Sequence, residues 1–320
     1  MIFAARGLLV SLAFFATVYC PLSLLVALAW PSINRAGRKS RFGSGIVSSA
    51  NFLFGLRIFS FAVSAVVAVF FTFPSFWLME RAALDEDAGT FILAACALLI
   101  LGAGLFRALQ AQARTARAVA QWSLGPAGVG AQSIAIDAAL PQLSASTGAP
   151  ALILVGIRRP RVMVSDMAAI VLSKRELQVA VRHELGHKRS WDNLKKVIIS
   201  ATPFPGMKRI ESAWRKAAEL AADDAAVTNR QDALDLAAAL IKLSRSLKQW
   251  REPVLASGLL NGSSSVSLRV ERLLEWRMPG RHIQCTWPWD FLLFSILIAI
   301  VSNYGAALAL THRLTEILVP

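Results

Sequence analysis

Apolar residues gather in four long runs, at positions 8–30, 58–77, 89–106 and 291–310. Each approaches the roughly 20 residues that a helix needs to cross a bilayer. A span of that kind must be helical, because lipid offers no partner to an unpaired backbone amide. Trp30, Phe76, Trp77, Trp287 and Trp289 stand at the ends of these runs, where amphipathic rings favour the interface.

Between the third and fourth runs the pattern changes. Residues 107–290 amount to roughly 180 residues of mixed character, enough for one domain of ordinary size. The segment opens on a helical continuation of the third run that carries Arg107, Arg114 and Arg117, followed by a looser stretch rich in Gly, Ala, Ser and Pro at 125–150. Two β-type runs follow, 151–155 and 161–165, separated by a Gly- and Pro-containing turn, and they predict a hairpin or a strand pair. Ser173 and Glu176 then form a capping box ahead of Leu177, Val179 and Val181, which predicts a helix start. Further helices are predicted over 207–227, 232–250 and 266–276, with a Gly/Ser-rich break at 258–267.

The chain has 320 residues and is 55% hydrophobic but only 17% charged; with a mean hydropathy of +0.52, it is too apolar for an ordinary soluble domain. The expected fold is mainly α: four transmembrane helices, with the 107–290 domain between the third and fourth and a short exterior tail at 311–320. Lys and Arg set the orientation, since short basic loops stay in the cytoplasm. The first loop carries Arg35, Arg38, Lys39 and Arg41, with Arg57 at the start of the second span, whereas the second loop contains Glu80, Asp85, Glu86 and Asp87. The first loop and the 107–290 domain are therefore expected on the cytoplasmic side, and both termini outside. A cleavable signal peptide is the competing reading, because Arg6 precedes an apolar run that ends in Ala27-Leu28-Ala29. The retained span is preferred, since the run is long for a signal core and cleavage would export the basic loop.

A net charge of +14 is accounted for by cytoplasmic loops facing anionic lipid. No DNA-binding motif accompanies it, and no nucleic-acid partner is expected. The three cysteines, Cys20, Cys96 and Cys285, include no CxxC pair, so neither a disulfide framework nor a thiolate zinc cluster is expected.

The chemistry is concentrated in His183-Glu184-Leu185-Gly186-His187. On a helix, His183 and His187 lie one turn apart on one face, so two ring nitrogens can share one ion. Glu184 is placed to act on a metal-activated water. A catalytic zinc needs a third protein ligand, and Glu219 supplies it on the helix that also carries Asp223 one turn later. Asp223 can then accept the second ring N–H of a ligand histidine. Glu211 is the rival third ligand. Arg269, Arg272 and His282 are candidates to stabilise an oxyanion.

With its flanks, the stretch at 156–276 resembles the integral-membrane zinc peptidases of the BlaR/MecR type, the beta-lactam sensor-transducers. The likeness rests on Gly156 to Val162, Ser173 to Leu177, the HExxH with Asp192 five residues after His187, Glu219 with Asp223, and Arg269-Val270-Glu271-Arg272-Leu273. Four spans with the peptidase domain between the third and fourth is likewise the family layout. The resemblance implies a gluzincin-like α+β fold whose edge strand holds an extended substrate, with His183, His187 and Glu219 as zinc ligands and Glu184 as general base. It makes Asp223 and Asp192 supporting residues behind the ligands. It also implies a bacterial inner-membrane endopeptidase that cleaves a cytoplasmic or membrane-proximal protein such as a transcriptional repressor. Two departures stand against this. Ser190 replaces the arginine frequent three residues after the second histidine, and the tail after the fourth span cannot hold a penicillin-binding sensor. A membrane sensor partner is expected instead. Two other readings remain: a quality-control or prenyl-protein processing protease of the HtpX type, and a noncatalytic sensor or scaffold braced by structural zinc.

Overall fold

In the computed structural model, residues 2–39, 50–80, 87–123, 143–146, 152–158, 160–246, 257–258, 263–276 and 303–319 are described. Helix α1 (Ile2–Lys39), α2 (Ala50–Val67) with its continuation α3 (Phe73–Met79), and α4 (Ala88–Ser123) correspond to the first three apolar runs. All three are long and apolar enough to cross a membrane. A π-helical turn, Ala68–Thr72, joins α2 to α3 just before Pro74. Proline lacks an amide hydrogen, and a π turn reroutes the hydrogen bonds of the turn that precedes it. Small buried residues, Ala13 and Ala16 on α1 with Ala94 and Ala97 on α4, line the packing between these helices, as expected where helices associate without a hydrophobic driving force.

The polar part of the chain folds onto one end of these helices. Strand β1 (Leu143–Ser146) pairs in parallel with β3 (Arg161–Ser165), which pairs antiparallel with β2 (Leu152–Val155). Strand β4 (Ser257–Gly258) adds antiparallel to β2, giving the order β1-β3-β2-β4. Alternation divides the sheet into two faces. Ile153, Val155 and Met163 pack on Ala118 and Val119, far along α4. Leu152, Leu154, Val162 and Val164 form the other face, against the helical core.

That core is built by α5 (Asp166–Val171), α6 (Lys174–Arg189), α9 (Arg230–Ser246) and α10 (Ser263–Leu274). Leu177 and Val181 from α6 meet Leu236, Leu240 and Leu243 from α9, at the helical spacing that the sequence predicts. The helix α10 begins at Ser263, inside the stretch read as a Gly/Ser-rich break.

Two further helices carry the domain onto the spans: α7 (Asp192–Ala201) and α8 (Lys208–Ala226). Val26 and Trp30 of α1 and Leu53 of α2 share one apolar cluster with Ile199 of α7 and Ile210 and Trp214 of α8. Trp30 is thus buried in a helix interface instead of standing at a lipid boundary, and Phe76 is buried too, whereas Trp77 is exposed. Gly104 on α4 faces the backbone carbonyl of Ala201 so closely that a Cβ there would collide with it.

Of the fourth apolar run, only its end lies among the described residues. Helix α11 (Tyr304–Leu318) passes through Leu310 without a break, so the segment read as a tail is helical. It lies against the π turn, where the Tyr304 hydroxyl donates to the Phe70 carbonyl at 2.6 Å. Trp287, Trp289, Cys285 and His282 fall outside the described residues.

Candidate metal centre

The capping box seen in the sequence sets the start of α6. The Glu176 amide donates to Ser173 Oγ at 3.3 Å, and the Ser173 amide donates to Glu176 Oε2 at 2.7 Å. Lys242 Nζ, from α9, reaches the same carboxylate at 2.8 Å. The helix so anchored runs without interruption through His183, Glu184 and His187, all buried.

Helix α8 crosses it where Gly186 faces Ala222; a Cβ on Gly186 would lie 3.2 Å from the Ala222 Cα. This close approach brings Glu219 over the two histidines. Its Oε2 lies 3.7 Å from His183 Nε2, and its Oε1 lies 3.6 Å from His187 Nε2. The three side chains each offer one donor atom within 4.8 Å of the others. Neither Nε2 has a hydrogen-bond partner, although both are buried.

The opposite nitrogens are held from behind. His187 Nδ1 donates to Asp192 Oδ2 at 2.7 Å, and His183 Nδ1 lies 3.0 Å from Asp223 Oδ1. In the neutral imidazoles the proton belongs on the outer nitrogen that faces a carboxylate, and Nε2 is then the atom that donates its lone pair inward. Two imidazoles and a carboxylate at these positions can hold a divalent ion.

Charge favours a cation at this place. Burial alone would depress the pKa of His183, but the carboxylates of Asp223 and Glu219 outweigh it and raise the value to about 9. For His187, burial prevails and the pKa falls, in spite of Glu219 and Asp192. Burial also acts against the ionised form of Glu219, yet the two histidines and Arg269 hold its pKa below the usual value. Asp223 is held at about 2, since Arg269 and His183 overcome its burial.

Arg269, on α10, is part of this structure. Its Nε and Nη2 grip Asp223 at 2.8 and 2.6 Å, and its Nη1 donates to Glu219 Oε2 at 2.9 Å. These carboxylates occupy the guanidinium that the sequence offered as an oxyanion partner. Arg272 lies at the surface and pairs with Asp224. Glu211, the rival ligand, faces away from the histidines and bonds Arg57 of α2.

Glu184 sits beside the ligands, where its Oε2 accepts the Leu154 amide of β2 at 3.1 Å. Asn193 Nδ2 donates to the carbonyls of Leu154 and Gly156, tying the same strand to α7. β2 lies inside the sheet, because Ser257 and Gly258 pair with Leu154 and Ile153 on its other side. β4, which lies between α9 and α10 in the sequence, takes that side. The contacts of Leu154, Asn193 and Arg269 with the site were not legible in the sequence; a backbone amide carries no residue signature, and Arg269 lies 46 and 50 positions from its partners.

Compared with known proteins, the sequence matches no family model and no curated protein.

Proposed function

We propose that this chain is a membrane-embedded zinc endopeptidase, with a gluzincin-like domain that faces the cytoplasm and a fourth span at 291–310. The observation that carries the reading is the convergence of His183, His187 and Glu219, each outer imidazole nitrogen backed by a carboxylate, with the Glu184 carboxylate beside them. When bound, zinc supplies a Lewis acid and lowers the pKa of water to about 7. Glu184 accepts the proton of the attacking water and returns it to the leaving amine. The Leu154 amide orients that carboxylate, Asp192 and Asp223 fix the tautomers of the histidines, and Arg269 holds Asp223 and Glu219 in register. The substrate is a cytoplasmic or membrane-proximal protein, such as a repressor, and a sensor in the membrane supplies the trigger.

A second reading is favoured by one observation: Glu184 is fully buried, which suits a zinc that only braces α6 against α8. Full-length protein in neutral detergent separates the two. Glu184→Gln should retain one zinc per chain and lose cleavage of a casein-type reporter, while His187→Ala should lose both. Unchanged cellular function of Glu184→Gln would sink the peptidase reading. A wild-type protein that holds no zinc would sink both.

A further inference from the structure

A cleft of about 510 Å³ opens beside the metal centre, between the β2–β3 turn and the α6–α7 turn. It reaches both His187 and Leu154, the residue whose amide holds Glu184. Its volume is in the range of ordinary ligand pockets. Leu185 and Leu194 contribute apolar surface to it, and the fully buried Leu154 lies at its floor.

The exposed charge in its lining is of one sign. Arg158 comes from one turn, Lys188 and Arg189 from the other, and all three are exposed. Among the described residues, none of the three is paired with a carboxylate. The one acidic residue in the lining, Asp192, is buried and engaged with His187. Lys188 and Arg189 suit the C-terminal end of a helix in any case, but that accounts for nothing on the facing turn, where Arg158 stands.

Trp191 also lines the cleft and has φ 57°, the one non-glycine residue with positive φ among those described. The turn itself needs a left-handed residue, since it lets Asp192 reach back to His187. Glycine or asparagine would make that turn with less strain. A tryptophan that is 61% exposed gains little from burial, so the requirement for its indole lies in what it touches. Strained residues of this kind gather at ligand-binding sites.

We propose that this cleft is the recognition pocket of the site, and that it takes a peptide segment carrying an acidic residue next to a bulky apolar one. The apolar side chain packs on Leu185 and Leu194 against the Trp191 indole, and the acidic one meets Arg158 and Arg189. The assignment rests on the peptidase reading for its role in turnover, but binding can be read separately.

Two measurements on full-length protein in neutral detergent test it. Zinc-loaded wild type is given a mixed peptide library, and cleavage sites are mapped by mass spectrometry. Acidic residues should be enriched at one fixed position beside an aliphatic or aromatic residue, and Arg158→Glu/Arg189→Glu should lower kcat/KM for those peptides about tenfold, with zinc content unchanged. Cleavage without acidic preference overturns the pocket and leaves the peptidase standing. In the second measurement, a fluorescent acidic-aromatic peptide is titrated onto Glu184→Gln and followed by anisotropy. Salt-sensitive binding weakened by the double charge reversal and by Trp191→Ala supports the pocket even if wild type cleaves nothing. Binding indifferent to both changes overturns it, as does a charge reversal that alters only attachment to anionic vesicles.

Discussion

The guanidinium of Arg57, on a helix apolar enough to cross a membrane, lies 2.9 Å from the carboxylate of Glu211 on the helix that carries Glu219. Arg57 is buried, and it also donates to the Thr202 carbonyl at 2.7 Å and to Thr202 Oγ1 at 3.3 Å. Removing one partner strands a desolvated charge. Arg57→Ala should therefore destabilise the chain by about 3 kcal/mol, at the low end for a broken buried pair because the Glu211 side chain is 18% exposed. The double variant Arg57→Met/Glu211→Leu should recover a large part of that loss. Thermal unfolding in detergent checks both, and a double variant no better than Arg57→Ala would contradict the account.

The carboxylates behind the histidines should tune metal affinity without contacting the ion. Asp192→Asn is expected to weaken zinc binding about 10- to 100-fold, measured by competition with a chromophoric chelator. Asp223→Asn should weaken it at least as much and should also lower the melting temperature, since Arg269 loses the stronger of its two partners. Equal affinity in wild type and both variants would show that these contacts are structural only.

Gly186→Ala separates helix propensity from the geometry of the centre. Alanine is the better helix former by about 1 kcal/mol, but its methyl would press on Ala222 at 3.2 to 3.4 Å. The helices must part by a few tenths of an ångström, and this moves Glu219 relative to His183 and His187. Circular dichroism should show unchanged helix content while zinc affinity falls. Affinity at the wild-type level would mean that the crossing has slack to spare.

The capping box makes one part of the stability depend on pH. Burial works against the ionised form of Glu176, but Lys242 and the Ser173 amide outweigh it, and its pKa lies below the ordinary 4.5. A carboxyl lowered on folding contributes stability that is complete above that ordinary value and is lost as pH falls through the lowered one. Between pH 6 and 3.5 the melting temperature of the wild type should thus fall further than that of Glu176→Gln. Ser173→Ala should cost about 1 kcal/mol across the same range.

What could be read from the sequence was what is local. The HExxH, the capping box and the Glu219/Asp223 spacing each lie within one helix, where periodicity fixes which side chains share a face. The strand pair was visible for the same reason, through its alternation and its turn. Arg57 illustrates what stayed hidden: it reads as a charge that orients a span, while its partner lies 154 residues away. Glu211 reads as a ligand because it shares a helix with Glu219, and only the packing of α8 on α2 shows that it points to the spans. Nothing in Trp191 announces a left-handed turn, since such turns are ordinarily marked by glycine or asparagine.

Helix α4 acts as a ruler. Gly104 touches the last turn of α7, and Ala118 supports the sheet that holds Glu184; fourteen residues of helix set these levels about 21 Å apart. A single helix continuous between the two contacts leaves no hinge there, so α7 and the sheet keep a fixed separation along it. On the peptidase reading proposed above, a substrate anchored at the level of Gly104 would need on the order of six extended residues to reach the level of Ala118.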